Sequence, residues 1–315
     1  MFSVIIPLYN KRSYIARAVK SVLAQSFRDF ELLIVDNNSN DGSLKELESI
    51  IDLRIKVLFE TRQGVSFARN KGASEAKFEY LAFLDADDEF LPHHLAELKE
   101  MIEAFPDGGA YADSYHIVTR TGRKRERKII QTQEEGRFFK LVDFPLNYIA
   151  ADMPVTSYNM ACSRAFFQSL GGFPVDLSYG EDTVLFLKMF LNKPVYISQR
   201  PGAIYWRNAE NRSDIPERLL QELPVIGVLE KIAAKTEDKG LSEGIMAMAA
   251  KNLFLVGLSN MLVGKTKEAN ALFLDPRMDY YSRPNQLLLL KVISSFPVPI
   301  AKFLFSLILK VKQVN

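Results

Sequence analysis

Four short apolar runs constrain this chain more than any other feature: FSVIIPL (2–8), FELLIVD (30–36), RIKVLFE (54–60) and YLAFLDA (80–86). They are continuous rather than alternating and rich in Val, Ile, Leu and Phe, the pattern of strands buried on both faces. Helix-period stretches separate them. Ile15, Val19, Val22 and Leu23 share a face of 13–25, Leu44, Leu47, Ile50 and Ile51 group within 43–51, and 65–76 follows a glycine. This alternation predicts an α/β fold with a Rossmann-like, mostly parallel, doubly wound sheet flanked by helices. Ligands of such sheets bind beyond the carboxyl ends of the strands, which directs attention to 7–10, 36–41, 60–64 and 85–88.

The alternation breaks down after residue 105. GGAYADSYHIVTRTGRKRERKII (108–130) reads as a strand and hairpin turning at Thr121-Gly122. Residues 163–170 and 181–192 read as helices, and 195–198 and 203–206 as short strands. Beyond residue 216 the chain reads as helical over 217–236, 241–263, 266–273 and 285–311.

Several constellations could carry chemistry. FLDADD (83–88) ends a buried strand with Asp85, Asp87 and Asp88 at its tip. Such crowded carboxylates repel one another unless a cation or hydrogen-bond donors sit among them. Hard oxygen ligands suit Mg²⁺ or Mn²⁺, and the alternative is a solvated loop capping the next helix. Asp36 stands at another strand tip in ELLIVDNNSNDGS (31–43), where Asp41 or Ser43 is suited to capping a helix. In GVSFARNKG (64–72), Gly64 and Gly72 permit close backbone approach, and Arg69 could reach a phosphate or ribose. In GGFPVDLSYGED (171–182), Glu181 and Asp182 open a helix, where acids favour the positive end of the dipole. The same position suits Asp182 to general-base work in a cleft. Trp206, the only tryptophan, offers a face on which a sugar can stack, and a half-buried core position suits it equally. His93 and His94 read as ordinary helix-start residues.

The net charge of +2 gives no field for nucleic acid. One cysteine, Cys162, excludes a disulfide framework and a Cys-cluster zinc site, and reads as a small buried hydrophobe. Lys11 and Arg12 follow the first apolar run with no cleavage-site pattern, so no secretory signal is expected and the chain is expected in the cytoplasm.

Taken in order, SVIIPLYN, IVDNNSNDGS, GVSFARNKG, FLDADD and GGFP…GED resemble glycosyltransferase family 2, over residues 3 to about 207. The resemblance implies the GT-A fold, with domain 1–212 divided into a nucleotide-binding half (1–105) and an acceptor half (106–212), followed by a helical region, 213–315. It implies that Pro7 and Tyr9 line a uracil pocket, Asp36 accepts from the base, Arg69 helps to hold the nucleotide, and Asp85 contacts ribose or sugar. It implies further that Asp87 ligates a Mn²⁺ or Mg²⁺ ion on the diphosphate, with Asp88 supporting either neighbour. Asp182 would deprotonate the acceptor hydroxyl, Glu181 would position the acceptor, and Trp206 and Arg207 would contact acceptor or diphosphate. One base and no enzyme nucleophile imply single displacement with inversion. The donor would be a UDP-sugar, and the acceptor a saccharide or lipid-linked saccharide. Asn37 stands where many members carry a second acid. The Gln-x-x-Arg-Trp motif and transmembrane helices of processive members are missing, so a nonprocessive enzyme is expected.

Residues 286–312 are the most apolar stretch, yet the longest charge-free run, 292–301, is too short to span a bilayer. The expectation is peripheral contact with the inner face of the membrane; the alternative is packing on the catalytic domain or on a second copy of the chain. Two rival functions stand beside the transferase. A noncatalytic nucleotide-sugar-binding protein could keep the same fold, and an aspartate-nucleophile phosphatase shares the Asp-x-Asp pattern. A Rossmann dehydrogenase would need a glycine-rich turn after the first strand, and 7–12 contains no glycine.

Overall fold

The computed structural model describes residues 1–119, 121–129, 136–207, 220–221, 223–281, 283–296, 299–301 and 304. The chain divides into two compact units, Met1–Asn147 with Ala151–Glu210, and Tyr148–Ala150 with Asn211–Asn315.

The first unit begins β1 (Phe2–Leu8), α1 (Ile15–Leu23), β2 (Phe30–Asp36), β3 (Ile55–Phe59), α2 (Val65–Glu75), β4 (Tyr80–Phe83) and β5 (Glu89–Phe90). It continues with α3 (His94–Ala104), β6 (Ala110–Val118), β7 (Lys124–Glu126), β8 (Phe138–Lys140), α4 (Phe144–Ala150), β9 (Met160–Ser163), α5 (Arg164–Ser169), α6 (Glu181–Asn192) and β10 (Val195–Trp206). The ten strands form one sheet in the order β3-β2-β1-β4-β9-β6-β10-β5, with β7 on β6 and β8 on β10. Strands β3, β2, β1 and β4 are mutually parallel, as are β6 and β10. Between these two blocks β9 runs antiparallel to both β4 and β6.

Every residue of β1 and β2 is buried, as their unbroken apolar sequences require. β3 departs from that expectation. It is the sheet edge and pairs only with β2, leaving Val57 and Phe59 exposed. The segment 43–51 forms a five-residue 3-10 turn (Ser43–Leu47) rather than an α-helix. Asp41 draws that turn tight by accepting from the Ser43 N–H and hydroxyl. His94, expected as an ordinary helix-start residue, is fully buried with its Nδ1 2.6 Å from Asp113. Cys162 is buried in β9, and burial pushes its thiol up.

α2 carries few large apolar side chains and packs by proximity instead. A methyl at Gly72 would lie 2.5 Å from Ile5 Cγ2 and 3.3 Å from Val35 Cγ2, so this helix reaches β1 and β2 only because position 72 is bare. One turn earlier, the same contact sets the depth of Arg69.

The second unit is helical: α7 (Pro224–Ala233), α8 (Lys239–Val263), α9 (Thr266–Phe273), the 3-10 turn Pro276–Tyr280 and α10 (Pro284–Ser294). The parts of the expected helices at 217–219, 222, 297–298, 302–303 and 305–311 lie outside the described residues, as does Arg120 of the hairpin. α8 is long and apolar enough to cross a bilayer, but 67% of its most apolar window is buried inside the protein, where the other helices pack on it. It also carries the buried amides Asn252, which donates to Tyr148 Oη, and Asn260, which donates to the Val256 and Leu220 carbonyls.

Gly72→Ala is expected to lose about 1–3 kcal/mol to overpacking, read as a lower urea midpoint. Gly227 on α7 has nothing within 4 Å of an added methyl, so Gly227→Ala is expected to gain up to about 1 kcal/mol of helix propensity.

Candidate active site

The reversal of strand order at β1 opens the site. β1–β4 pairing ends at Ile5–Phe83, whereas β1–β2 pairing runs on to Leu8–Asp36. Pro7, which has no N–H to donate, lies past the end of the β4 ladder. The two strands therefore part at the position where doubly wound sheets hold their ligands.

The loops beyond the strand ends are knitted together. Asn10 N donates to Ser39 Oγ, Asn40 N to Asn10 Oδ1, Lys11 N to Ser43 Oγ and Arg12 N to Asp41 Oδ2. Asn37 does more than fill a missing acid's place. Its amide donates to the Glu60 and Arg62 carbonyls at 2.7 and 2.8 Å and accepts from Gly64 N at 2.8 Å, clasping the 60–64 loop to the end of β2. An aspartate could accept from Gly64 but could donate to neither carbonyl. Beside it Asp36 is 5% exposed; one oxygen takes a long bond from Ser39 N at 3.4 Å, and the other, Oδ1, meets no donor among the described residues. A buried carboxylate oxygen without a donor is costly, so the position fits a ligand N–H. Tyr9, 48% exposed, leaves its ring available for stacking.

Arg69 joins three motifs. It is 4% exposed on α2, and its Nη2 donates to Asp85 Oδ1 at 2.6 Å and to Ser157 Oγ at 3.3 Å, while Nη1 donates to Glu181 Oε1 at 3.0 Å. Ser157 donates in turn to Asp85 Oδ2 at 3.2 Å. The Phe173 ring lies 5.0 Å from the guanidinium. The next residue, Asn70, exchanges two hydrogen bonds with the Phe173 backbone and so docks the Gly-Gly-Phe-Pro segment on α2. Together these contacts bring the start of α6, with Glu181 and Asp182, to the tip of β4.

Asp85, Glu181 and Asp182 thus share one buried cation. Burial works against the charge of Arg69, but Asp85 and Glu181 hold its pKa above the ordinary value. Burial pushes the Glu181 carboxyl up to about 7; the charge of Asp182 adds to the rise and Arg69 opposes it. Asp182 is also raised by burial, against Arg69 and the Thr183 N–H, which donates to Asp182 Oδ1 at 2.6 Å. A carboxylate with raised proton affinity is a better general base than an exposed one.

Asp87 is held differently. Lys11 Nζ lies 2.7 Å from its Oδ2, and Arg17 donates to its backbone carbonyl at 2.7 Å. Asp88 is buried and accepts from Trp206 N at 2.9 Å. The Trp206 ring has Arg17 stacked 4.4 Å away, so one indole face is covered by a cation. Arg207 continues the β10–β6 contact through the Val118 carbonyl, and its side chain is exposed.

No cluster of three His, Cys, Asp or Glu able to hold a metal occurs among the described residues. Asp85 faces Arg69 and Ser157, and Asp88 faces the Trp206 backbone. Asp87, which faces the Lys11 ammonium, fits as the single carboxylate of an Mg²⁺ or Mn²⁺ ion completed by phosphate oxygens. Lys11, Arg17, Asn37, Asn70 and Ser157 escaped sequence reasoning. The Asn-Lys and Arg-Asn pairs inside two motifs were readable signals, whereas Ser157 lies in no motif.

A sheet of this strand order, with Asp36 and Asp85 at the ends of its parallel strands, has the architecture of GT-A glycosyltransferases. Staphylococcus aureus TarS, residues 1–349, shares it at a TM-score of 0.64 and 18% identity, over 96% of this chain and 90% of that one. TarS has also been solved with UDP and with UDP-GlcNAc, and those structures align at TM-scores of 0.56 and 0.57, each at 18% identity over 90% of this chain and 91% of that one. Residues 3–170, just over half of the chain, match the model for glycosyl transferase family 2, and the chain belongs to that family. An uncharacterised glycosyltransferase of Rickettsia conorii is 34% identical over 59% of this chain and 30% of its own length. The GalNAc(5)-diNAcBac-PP-undecaprenol beta-1,3-glucosyltransferase of Campylobacter jejuni is 24% identical over 62% of this chain and 61% of its own. The match therefore spans less than two thirds of either relative.

The raised Glu181 carboxyl links stability to pH. Its folded pKa of about 7 exceeds the ordinary 4.5, so its contribution is fully present below the unfolded value and is lost as pH rises through about 7. Glu181→Gln removes that loss. Its melting temperature relative to the unaltered protein is expected to be higher at pH 8 than at pH 5; a pH-independent difference would mean that Glu181 is not held protonated.

Proposed function

We propose that the chain is an inverting, nonprocessive glycosyltransferase that moves a sugar from a UDP-sugar to a hydroxyl of a saccharide or lipid-linked saccharide at the inner face of the membrane. The observation that carries this reading is the buried Arg69 bridge, which holds a donor-side carboxylate, Asp85, on one terminal nitrogen and Glu181, the neighbour of Asp182, on the other. UDP as the nucleotude carrier is supported by the solved TarS complexes, and a lipid-linked acceptor by the name of the Campylobacter relative.

In this mechanism Tyr9 stacks on the base above Pro7, and the partnerless Asp36 oxygen accepts its N–H. Asp85 orients the ribose or sugar, itself fixed by Arg69 and Ser157. Asp182 takes the proton of the acceptor hydroxyl as that oxygen attacks the anomeric carbon. The bond from that carbon to the diphosphate breaks on the opposite side, and its electron pair leaves with UDP. Glu181 positions the acceptor, and Trp206 and Arg207 stand at the acceptor side as softer contacts. Bound at Asp87, a divalent cation would offset charge developing on the diphosphate. Lys11 neutralises Asp87 in the meantime. An aspartyl-phosphate mechanism is disfavoured, because both oxygens of Asp85 are engaged and Asp87 faces Lys11.

Melting with UDP, GDP and dTDP, each with and without Mn²⁺, tests the donor site; saturation at 100 times the dissociation constant stabilises by about 2.7 kcal/mol. The expected result is a UDP-selective, Mn²⁺-dependent shift that Asp87→Asn abolishes. No shift with any nucleotide would remove the donor-site reading. Asp182→Asn is expected to keep the UDP shift while turnover falls about 10²–10⁴-fold; a chain that binds UDP but never turned over is a binding protein. Lys11→Met is expected to bind Mn²⁺ more tightly without nucleotide, measured by electron paramagnetic resonance, and unchanged affinity would mean that Lys11 does not compete for Asp87.

A further inference from the structure

The second unit carries an apolar stripe on its surface. α10 packs inward through Leu287, Leu290 and Ile293 and turns Leu288, Leu289 and Val292 outward at 62, 48 and 50% exposure. Phe296 and Ile300, at 42 and 47%, continue the four-residue spacing of Leu288 and Val292 past the helix end. Contiguous exposed apolar side chains of this size mark an interaction surface.

The charges in this stretch of sequence select the occupant. From Tyr281 to the end the sequence holds Arg283, Lys291, Lys302, Lys310 and Lys312 and no Asp or Glu. A two-fold contact with a second copy would set like-charged stripes against each other. An anionic bilayer satisfies both features at once, since aliphatic side chains enter the acyl boundary while lysine and arginine meet lipid phosphates. α10 itself is too short to span: it has 11 residues, about 16 Å of helix against a hydrocarbon core of about 30 Å. The charge-free run that follows ends at Lys302.

We propose that α10, with Phe296 and Ile300, docks the protein in the plane of an anionic lipid surface, through Leu288, Leu289, Val292, Phe296 and Ile300. This inference does not depend on the sugar-transfer reading.

The test is cosedimentation of the full chain with phosphatidylcholine vesicles, with and without phosphatidylglycerol. Binding is expected only with phosphatidylglycerol, and it should weaken as salt is raised. The double substitution Leu288→Ser with Val292→Ser is expected to weaken binding at least about tenfold with an unchanged circular dichroism spectrum. If that variant does not fold, Lys291→Glu replaces it, and a clear loss of vesicle binding is expected. Failure to sediment with anionic vesicles, or binding indifferent to every substitution, would overturn the proposal. So would a dimer in sedimentation velocity that the double substitution dissociates, which would assign the stripe to a second copy.

Discussion

The site depends on keeping one guanidinium charged out of water. A buried cation is tolerated only when acids and hydrogen-bond acceptors surround it, and Arg69 has Asp85, Glu181 and Ser157 about it, drawn from β4's tip, the start of α6 and the loop before β9. Three stretches far apart in sequence are thereby committed to one point. Gly72 sets the depth of that point by letting α2 settle on β1 and β2. Without the bare position the arginine would stand off from Asp85, and the acids at the start of α6 would lose their counter-charge.

The donor half was legible because its strands advertise themselves. Seven-residue apolar runs ending in Asp or Pro-x-Tyr leave little choice of fold, and β1 and β2 match them residue for residue. β3 was misjudged because composition does not say which strand is outermost; Val57 and Phe59 look like core until the sheet order puts them at the edge. β5 and β9, two and four residues long, are too short for any periodicity to show. Yet both run against the strands they pair with, β5 against β10 and β9 against β4 and β6, and so help to turn a parallel sheet into a mixed one.

The side-chain chemistry was legible as a set of residues and not as a set of partnerships. Arg69 stood out by its motif, but sequence pointed it at a phosphate, whereas its terminal nitrogens face carboxylates. Asn37 reads as a lost acid until its amide is seen holding three backbone groups of the 60–64 loop. Trp206 reads equally as a sugar platform or a half-buried core ring, and one of its faces stacks on Arg17. Pairings between residues tens of positions apart leave no local trace, which is why motif reading finds the actors and misses their contacts.

Sharing one guanidinium makes the two ends of the crevice electrically interdependent. A ligand that draws Asp85 away from Arg69 leaves more of that positive charge to Glu181 and Asp182, and their hold on a proton weakens. By reciprocity, whatever loads a proton onto the acidic pair strengthens the tie between Arg69 and Asp85. Occupancy at one end is thus reported to the other as a change in acidity, without any backbone having to move.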